Sequence, residues 1–421
     1  MKLDVVGTNA IRVDGRAKLT GQAIYPEDIY LDGMLHGKTL RSSRPHALIT
    51  VDVTTAEAMP GVVKVFTAKD VPGHNAHGVL FKDQEVLCSL KVRRIGDPIA
   101  FVVATEAKIA EAALQLIRVD YQDLPALFDA EEAMKDKILI HENQSNTIYH
   151  YKLRTGDVEA GFAQCDAIVE NVYRTAMVDH AFLQPEAGVA YLEADGTIVV
   201  CAATQYPHFD QVEISESLGV PKERVKYINP AIGGAFGGRE DITVQIHLAM
   251  AALATGKPVK TVYSREESFY AHAKRHSEVI HIKTGADRDG KLIAMEAKII
   301  GDSGAYTSWA VNVLRKSGVH ITGPYVIPNV KVDSYAVYTN NPFTGAMRGF
   351  GAAQVPVAHE QQMDMLAEQL GISPVTIRVI NAFRVGSRTA TGQLLAEGVP
   401  LVTCIEKVAA AMNLLPGGAE G

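Results

Sequence analysis

The chain has 421 residues, 47% apolar and 21% charged, with 41 basic against 48 acidic side chains for a formal charge of −7. That length exceeds the size at which one hydrophobic core keeps growing, so two or three domains are expected, and the interspersed charges exclude the basic surface that nucleic-acid binding needs. The longest apolar runs, such as Pro98 to Ala104, stop well short of the ~20 residues of a membrane span, which predicts a soluble protein with no membrane partner.

Between residues 15 and 125, strand-like runs alternate with helical ones. Gly61 to Phe66 and Ile99 to Ala104 read as strands, Glu106 to Leu114 as a helix, and Ile117 to Tyr121 as a strand, giving a compact α/β unit that ends near Pro125. The polar stretch from Ala126 to Thr155 reads as a connection, with a domain boundary between residues 130 and 150. Beyond it, strands are predicted at Ala167 to Tyr173, Thr197 to Ala202, Val225 to Ile228, Val259 to Tyr263, Val279 to Thr284 and Leu292 to Ile300. Helices are predicted at Gln211 to Leu218, Asp241 to Ala254, Pro356 to Leu370 and Leu401 to Asn413, followed by a frayed end from Leu414. The second region is therefore mixed α+β.

Cys88, Cys165, Cys201 and Cys404 stand far apart and form no C-x-x-C pair, which argues against iron–sulfur or structural zinc sites on this chain and predicts reduced thiols in the cytoplasm. If electrons leave this chain, another polypeptide carries them. His272 and His276 are four apart, but Lys274 and Arg275 lie between them and no acid completes a zinc motif, so a solvated helix face or turn is expected.

Two glycine-rich segments dominate the rest: Gly233-Gly234-Ala235-Phe236-Gly237-Gly238-Arg239-Glu240-Asp241 and Gly345-Ala346-Met347-Arg348-Gly349-Phe350-Gly351-Ala352-Ala353-Gln354. Each sets an aromatic ring and charged side chains among glycines, letting bare backbone N–H groups approach a large anionic ligand. Neither fits the dinucleotide or P-loop templates. A helix predicted directly after the first segment would add its dipole to the cradle.

Together with Thr204-Gln205-Tyr206-Pro207-His208, Gly96-Asp97-Pro98-Ile99-Ala100, Val13 to Gly21, Val119 to Pro125 and Ser264-Arg265-Glu266-Glu267, these segments closely resemble the molybdenum-binding subunit of the xanthine dehydrogenase and aldehyde oxidoreductase family. The resemblance implies an α+β protein: a hammerhead-like α/β domain over residues 1–130, then a mixed α+β molybdopterin-binding domain over 131–421, the first half of the family's cofactor-binding region. The family's subunit is far longer, and no counterpart of its general-base glutamate occurs here. A gene split resembling that of bacterial nicotinate-oxidising members is therefore implied, with a second molybdopterin subunit supplying the base.

The resemblance further implies hydroxylation of an N-heteroaromatic ring, nicotinate to 6-hydroxynicotinate in first place, with water as the oxygen donor. The implied cofactor is a molybdenum molybdopterin, as the cytosine dinucleotide, with a terminal sulfido or selenido ligand; electrons would pass to partner 2Fe–2S and FAD subunits and on to NAD(P). Alternatives are purine or aldehyde oxidation by the same machinery, or a non-catalytic assembly protein. By position in the family motifs, Gln205, Glu240 and Phe350 take catalytic roles. Gln205, Gly234, Ala235, Phe236, Gly237, Arg348 and Gly349 bind cofactor, with Gln205, Phe236 and Arg348 around the metal but not ligating it. The substrate-orienting arginine of purine oxidisers falls at Lys316, with Arg315 adjacent, where a cation could attract a carboxylate. Asp179-His180 and Gln184-Pro185-Glu186 match a structural stretch. Read without the family, Glu240 is also an acid favoured by a helix first turn, Gln205 a strand-end cap, and Phe236 or Phe350 plain core.

Overall fold

The computed structural model describes residues 4–142 and 144–414, so the end expected to fray lies outside the described residues beyond Leu414. Three sheets carry the chain. A mixed seven-stranded sheet runs in the order Val225–Ile228, Ile198–Ala202, Ala187–Leu192, Val259–Val262, Leu35–Arg41, Pro98–Ala104, Val62–Phe66. A five-stranded sheet is ordered Thr147–Thr155, Asn329–Tyr338, Leu292–Gly304, Glu278–Ala286, Ala167–Arg174, and a small three-stranded sheet joins Lys91–Val92, Ala47–Asp52 and Arg118–Asp123.

The strands expected at 99–104, 167–173, 225–228, 279–284 and 292–300 form where apolar runs or apolar–polar alternation predict them. The central strand Pro98–Ala104 is buried at every position, as a strand covered on both faces should be. The first α/β unit is not self-contained, however. Leu35 and His36 pair in parallel with Val259 and Lys260, so strands from both sides of the expected boundary share one sheet.

Two expectations are corrected. The stretch from Ala126 to Thr155 is more than a connection: it holds the short helix Ala130–Ala133, capped by Asp129, and the edge strand Thr147–Thr155. Only Leu153 of that strand is buried, which hides its strand character in a polar sequence. The helix expected from Asp241 begins at Gln245, because the Gln245 side chain reaches back to accept from the Thr243 N–H at 2.7 Å and holds the preceding residues in a turn. Its dipole is therefore displaced from the glycine segment.

That helix, Gln245–Thr255, buries eight consecutive residues and packs on the seven-stranded sheet, whereas Ala310–His320 lays Ala310, Val313, Leu314, Ser317 and Gly318 on the five-stranded one, an apolar stripe of helical period. Among the described residues no helix is long and apolar enough to cross a membrane.

The junction between the two sheet systems is tied by a buried ion pair. Arg94 and Asp97 are both 0% exposed, with Arg94 Nε 3.2 Å from Asp97 Oδ1. Asp97 Oδ2 accepts from the Arg93 and Arg94 N–H groups, and Arg94 Nη1 donates to the Tyr270 carbonyl at 2.7 Å while the guanidinium lies 4.9 Å from the Phe343 ring centre. Gly96 turns between them at φ +94°, where an added Cβ would meet the Tyr270 carbonyl oxygen at 2.7 Å. Replacing Asp97 by Ala strands a buried guanidinium, and a loss of ~3–5 kcal/mol in unfolding free energy is expected from denaturant titration.

Candidate active site

The first wall of the site grows from two parallel neighbours, Ile198–Ala202 and Val225–Ile228, whose carboxyl ends lead respectively into Gln205 and into the Gly233–Gly238 segment. Gln205 Oε1 accepts from the Gly237 N–H at 3.0 Å and the Arg239 N–H at 3.4 Å. Two N–H donors fix which end of the amide is oxygen, and Nε2 has no protein acceptor among the described residues, so it is left to donate elsewhere. The second wall follows the strand Asn329–Tyr338 and is pinned by Gly345 N–H to the Lys274 carbonyl at 2.8 Å.

The walls touch backbone to backbone. The Arg348 N–H donates to the Phe236 carbonyl at 2.9 Å, and at Gly237 an added Cβ would lie 2.6 Å from the Ala346 carbonyl oxygen and 3.0 Å from Met347 Cα. Phe236 and Phe350 both hold left-handed backbone, at φ +53° and +50°, a conformation that costs a non-glycine residue about 1–3 kcal/mol and that the surrounding structure must enforce.

Between the walls lies an open pocket of about 420 Å³ lined by Gln205, Tyr206, Phe236, Gly237, Glu240, Ala346, Met347, Arg348 and Phe350. Six of the expected site residues thus converge on one space, while Gly234, Ala235 and Gly349 belong to the walls without lining it. A second pocket of similar volume, between Pro374–Asn381 and Leu401–Ala411, shares none of these residues and is lined almost wholly by apolar side chains.

Glu240 and Asp241, adjacent in sequence, part company. Asp241 is buried and its two oxygens share the single Ser308 hydroxyl as donor, at 2.7 and 2.9 Å; burial pushes its carboxyl up to about 6 against that bond. Glu240 faces the pocket without an ion pair among the described residues, and burial, then the neighbouring Asp241 charge, push it up to about 7. Of the two cations near the expected substrate site, only Lys316 faces the ring: its Nζ lies 5.7 Å from the Phe350 centre, while Arg315 lies near Tyr151.

Sequence reasoning gave no role to Trp309, the chain's single tryptophan, whose ring centre stands 5.7 Å from Tyr206 and 5.9 Å edge-on to Phe350. Its rarity was the available signal. The expectation of a solvated His272 and His276 is overturned, since they are 1% and 0% exposed, and no metal-holding cluster of three or more His, Cys, Asp or Glu occurs among the described residues.

The arrangement fits the implied cofactor. Besides Gln205 Nε2, the N–H groups of Gly234, Ala235, Phe236, Met347 and Gly349 donate to no protein acceptor among the described residues, a row of backbone donors suited to an anionic, oxygen- and sulfur-rich ligand. Gly237→Ala would put a methyl into the opposing backbone at φ +101°; a loss of ~1–3 kcal/mol in stability is expected by denaturant titration, and an unchanged midpoint would refute the contact.

Residues 140–382 match the family model of the molybdopterin cofactor-binding domain, and residues 20–125 that of the aldehyde oxidase and xanthine dehydrogenase a/b hammerhead domain. The chain is 42% identical over 404 residues to the nicotinate dehydrogenase large molybdopterin subunit of Eubacterium barkeri, covering 96% of this chain and 95% of that one. It is 40% identical over 369 residues to a probable xanthine dehydrogenase subunit of Bacillus subtilis (strain 168), covering 87% of this chain but 50% of the relative. The solved aldehyde oxidoreductase of Desulfovibrio gigas superposes with a TM-score of 0.92 at 31% identity, over 96% of this chain and 46% of that one. Quinoline 2-oxidoreductase of Pseudomonas putida 86 does so with 0.89 at 29%, over 97% and 54%. The chain therefore spans nearly all of one relative and about half of the others. With both domains and the two-walled pocket in place, it belongs to the xanthine dehydrogenase and aldehyde oxidoreductase family of molybdenum hydroxylases, as a molybdopterin-binding catalytic subunit.

Proposed function

We propose that this subunit hydroxylates an N-heteroaromatic acid, with nicotinate to 6-hydroxynicotinate as the leading reaction. The observation that carries the reading is the Lys316 ammonium, which forms no ion pair among the described residues and lies 5.7 Å from the centre of the Phe350 ring that lines the pocket. A flat ring bearing a carboxylate matches both. The 42% identity to a nicotinate dehydrogenase subunit across nearly the whole of both chains supports the same choice over purine or aldehyde substrates.

When bound, the molybdenum cofactor supplies the two-electron chemistry for hydroxylation with water as the oxygen source. This chain's residues do the rest. Gln205, its oxygen committed to backbone, turns its amide N–H toward the cofactor without adding charge. The free N–H groups of Gly234, Ala235, Phe236 and Gly349 receive the anionic face of the pterin, and Arg348 brings a cation beside it. Phe350 orients the substrate ring, Lys316 draws its carboxylate, and Glu240 in its neutral form offers a proton donor. The reading assigns the general base to a second molybdopterin subunit. It assigns electron transfer to 2Fe–2S and FAD subunits and then NAD(P), and takes the cofactor as the cytosine dinucleotide with a sulfido or selenido ligand, in the cytoplasm.

Anaerobic addition of nicotinate to the as-isolated complex should bleach its iron–sulfur absorbance, whereas xanthine should not; the reverse pattern would remove this substrate class. Phe350→Ala should lower nicotinate kcat/KM ~2–10-fold, the equivalent of ~0.5–1.5 kcal/mol of ring contact, at unchanged molybdenum content. Because the Glu240 carboxyl is pushed up to about 7, it is neutral below that pH and anionic above it, so KM for an anionic substrate should climb as pH rises through this value. Glu240→Gln should flatten that climb, as steady-state kinetics across pH would show.

A further inference from the structure

Beneath both walls lies a cluster of buried charge that lines no part of the pocket. His272, 1% exposed, sits with Nδ1 2.9 Å from Glu186 Oε1 and Nε2 3.3 Å from Asp179 Oδ2. Lys274 Nζ is 2.9 Å from the same Asp179 oxygen and donates to the His272 carbonyl at 2.6 Å. A neutral imidazole has one N–H and one lone pair, so with a carboxylate oxygen near each nitrogen it would set a lone pair against an anion; an imidazolium instead sets a positive ring between two negative charges.

The cluster reaches both walls. On one side, His180, its ring centre 5.5 Å from that of His272, is kept neutral by burial, which pushes it down to about 4, and its Nε2–H donates to the Ala346 carbonyl at 2.7 Å. The Lys274 main chain also holds Phe343 and Gly345. On the other side, the Phe182 ring stands 4.9 Å from His272 and carries the Arg239 guanidinium at 4.2 Å, whose Nε donates to the Gly234 carbonyl at 2.9 Å. Gly238 rests so closely above that an added Cβ would meet Phe182 at 2.8 Å and His180 at 3.0 Å.

We propose that His272 is a positioning residue, an imidazolium clamped between Asp179 and Glu186, that holds the two glycine walls against each other and so governs how tightly the pocket retains molybdopterin. The inference rests on the family and the geometry, and is indifferent to which ring is oxidised. The groups facing this imidazole are Asp179, Glu186, Lys274, His180 and, across the cluster, Asp241. Burial pushes His272 down, but Asp179 and then Glu186 outweigh it and hold it above the ordinary imidazole value. Its contribution is therefore complete below that ordinary value and is lost as pH rises through the raised one.

The test follows molybdenum release from the purified holo-complex after desalting at pH values between about 6 and about 10. Wild-type protein should release metal slowly until an alkaline limb, across which the rate climbs about tenfold. His272→Gln should release it quickly at every pH, with that limb gone. A flat wild-type profile, or a limb that survives in His272→Gln, would overturn the proposal, the latter pointing to Lys274. Should His272→Gln fail to fold, Asp179→Asn serves: removing one carboxylate should move the limb about one pH unit toward acid, and an unmoved limb would equally overturn it.

Discussion

Everything at this site depends on two backbones meeting without side chains between them. Gly237 lies against the Ala346 carbonyl, and the Arg348 N–H closes on Phe236, so each wall is the other's support. The strain of two phenylalanines held in left-handed backbone is stored at the same place, which is where function commonly tolerates it. Once the walls are joined, the remaining donors have no internal acceptor and must be met by solvent or ligand. The pocket is thus a by-product of how closely two turns can pack.

Charge is arranged in layers around that contact. At the rim, Lys316 and Arg348 meet solvent, and exposed cations of this kind guide and orient more than they stabilise. At the wall, Glu240 is half-buried and poised near neutrality. Below, Asp179, Glu186, His272 and Lys274 form a set that balances internally. Further down, Arg94 and Asp97 lock one sheet system to the other. These deeper charges each lie beside an opposite one, as burial requires.

Much of this was legible in the chain. Buried strands such as Pro98–Ala104 announce themselves as unbroken apolar runs, and the glycine segments expose their purpose by carrying Phe and Arg where ordinary turns carry neither. Other features were hidden for definable reasons. Thr147–Thr155 is an edge strand with one buried residue, so its sequence looks like a polar loop. Neighbouring acids could not be told apart at Glu240 and Asp241, because Ser308, distant in sequence, turns only one inward. His272 read as solvated because its own segment is basic, and the carboxylates that permit its burial arrive from elsewhere. Most of what was missed turns on partners distant in sequence, though the start of the helix Gln245–Thr255 turns on a local side-chain bond.

The shared seven-stranded sheet also bears on how the chain comes into being. Leu35–Arg41 emerges early in synthesis, yet the strand that flanks it in parallel, Val259–Val262, is made only after most of the intervening chain. One edge of the nascent amino-terminal sheet therefore waits with open main-chain groups while the ribosome works. Non-local pairings of this kind also fold slowly. Even when that late strand docks, the cofactor's seat is not yet built, because its second wall, Gly345 to Gln354, leaves the ribosome later still.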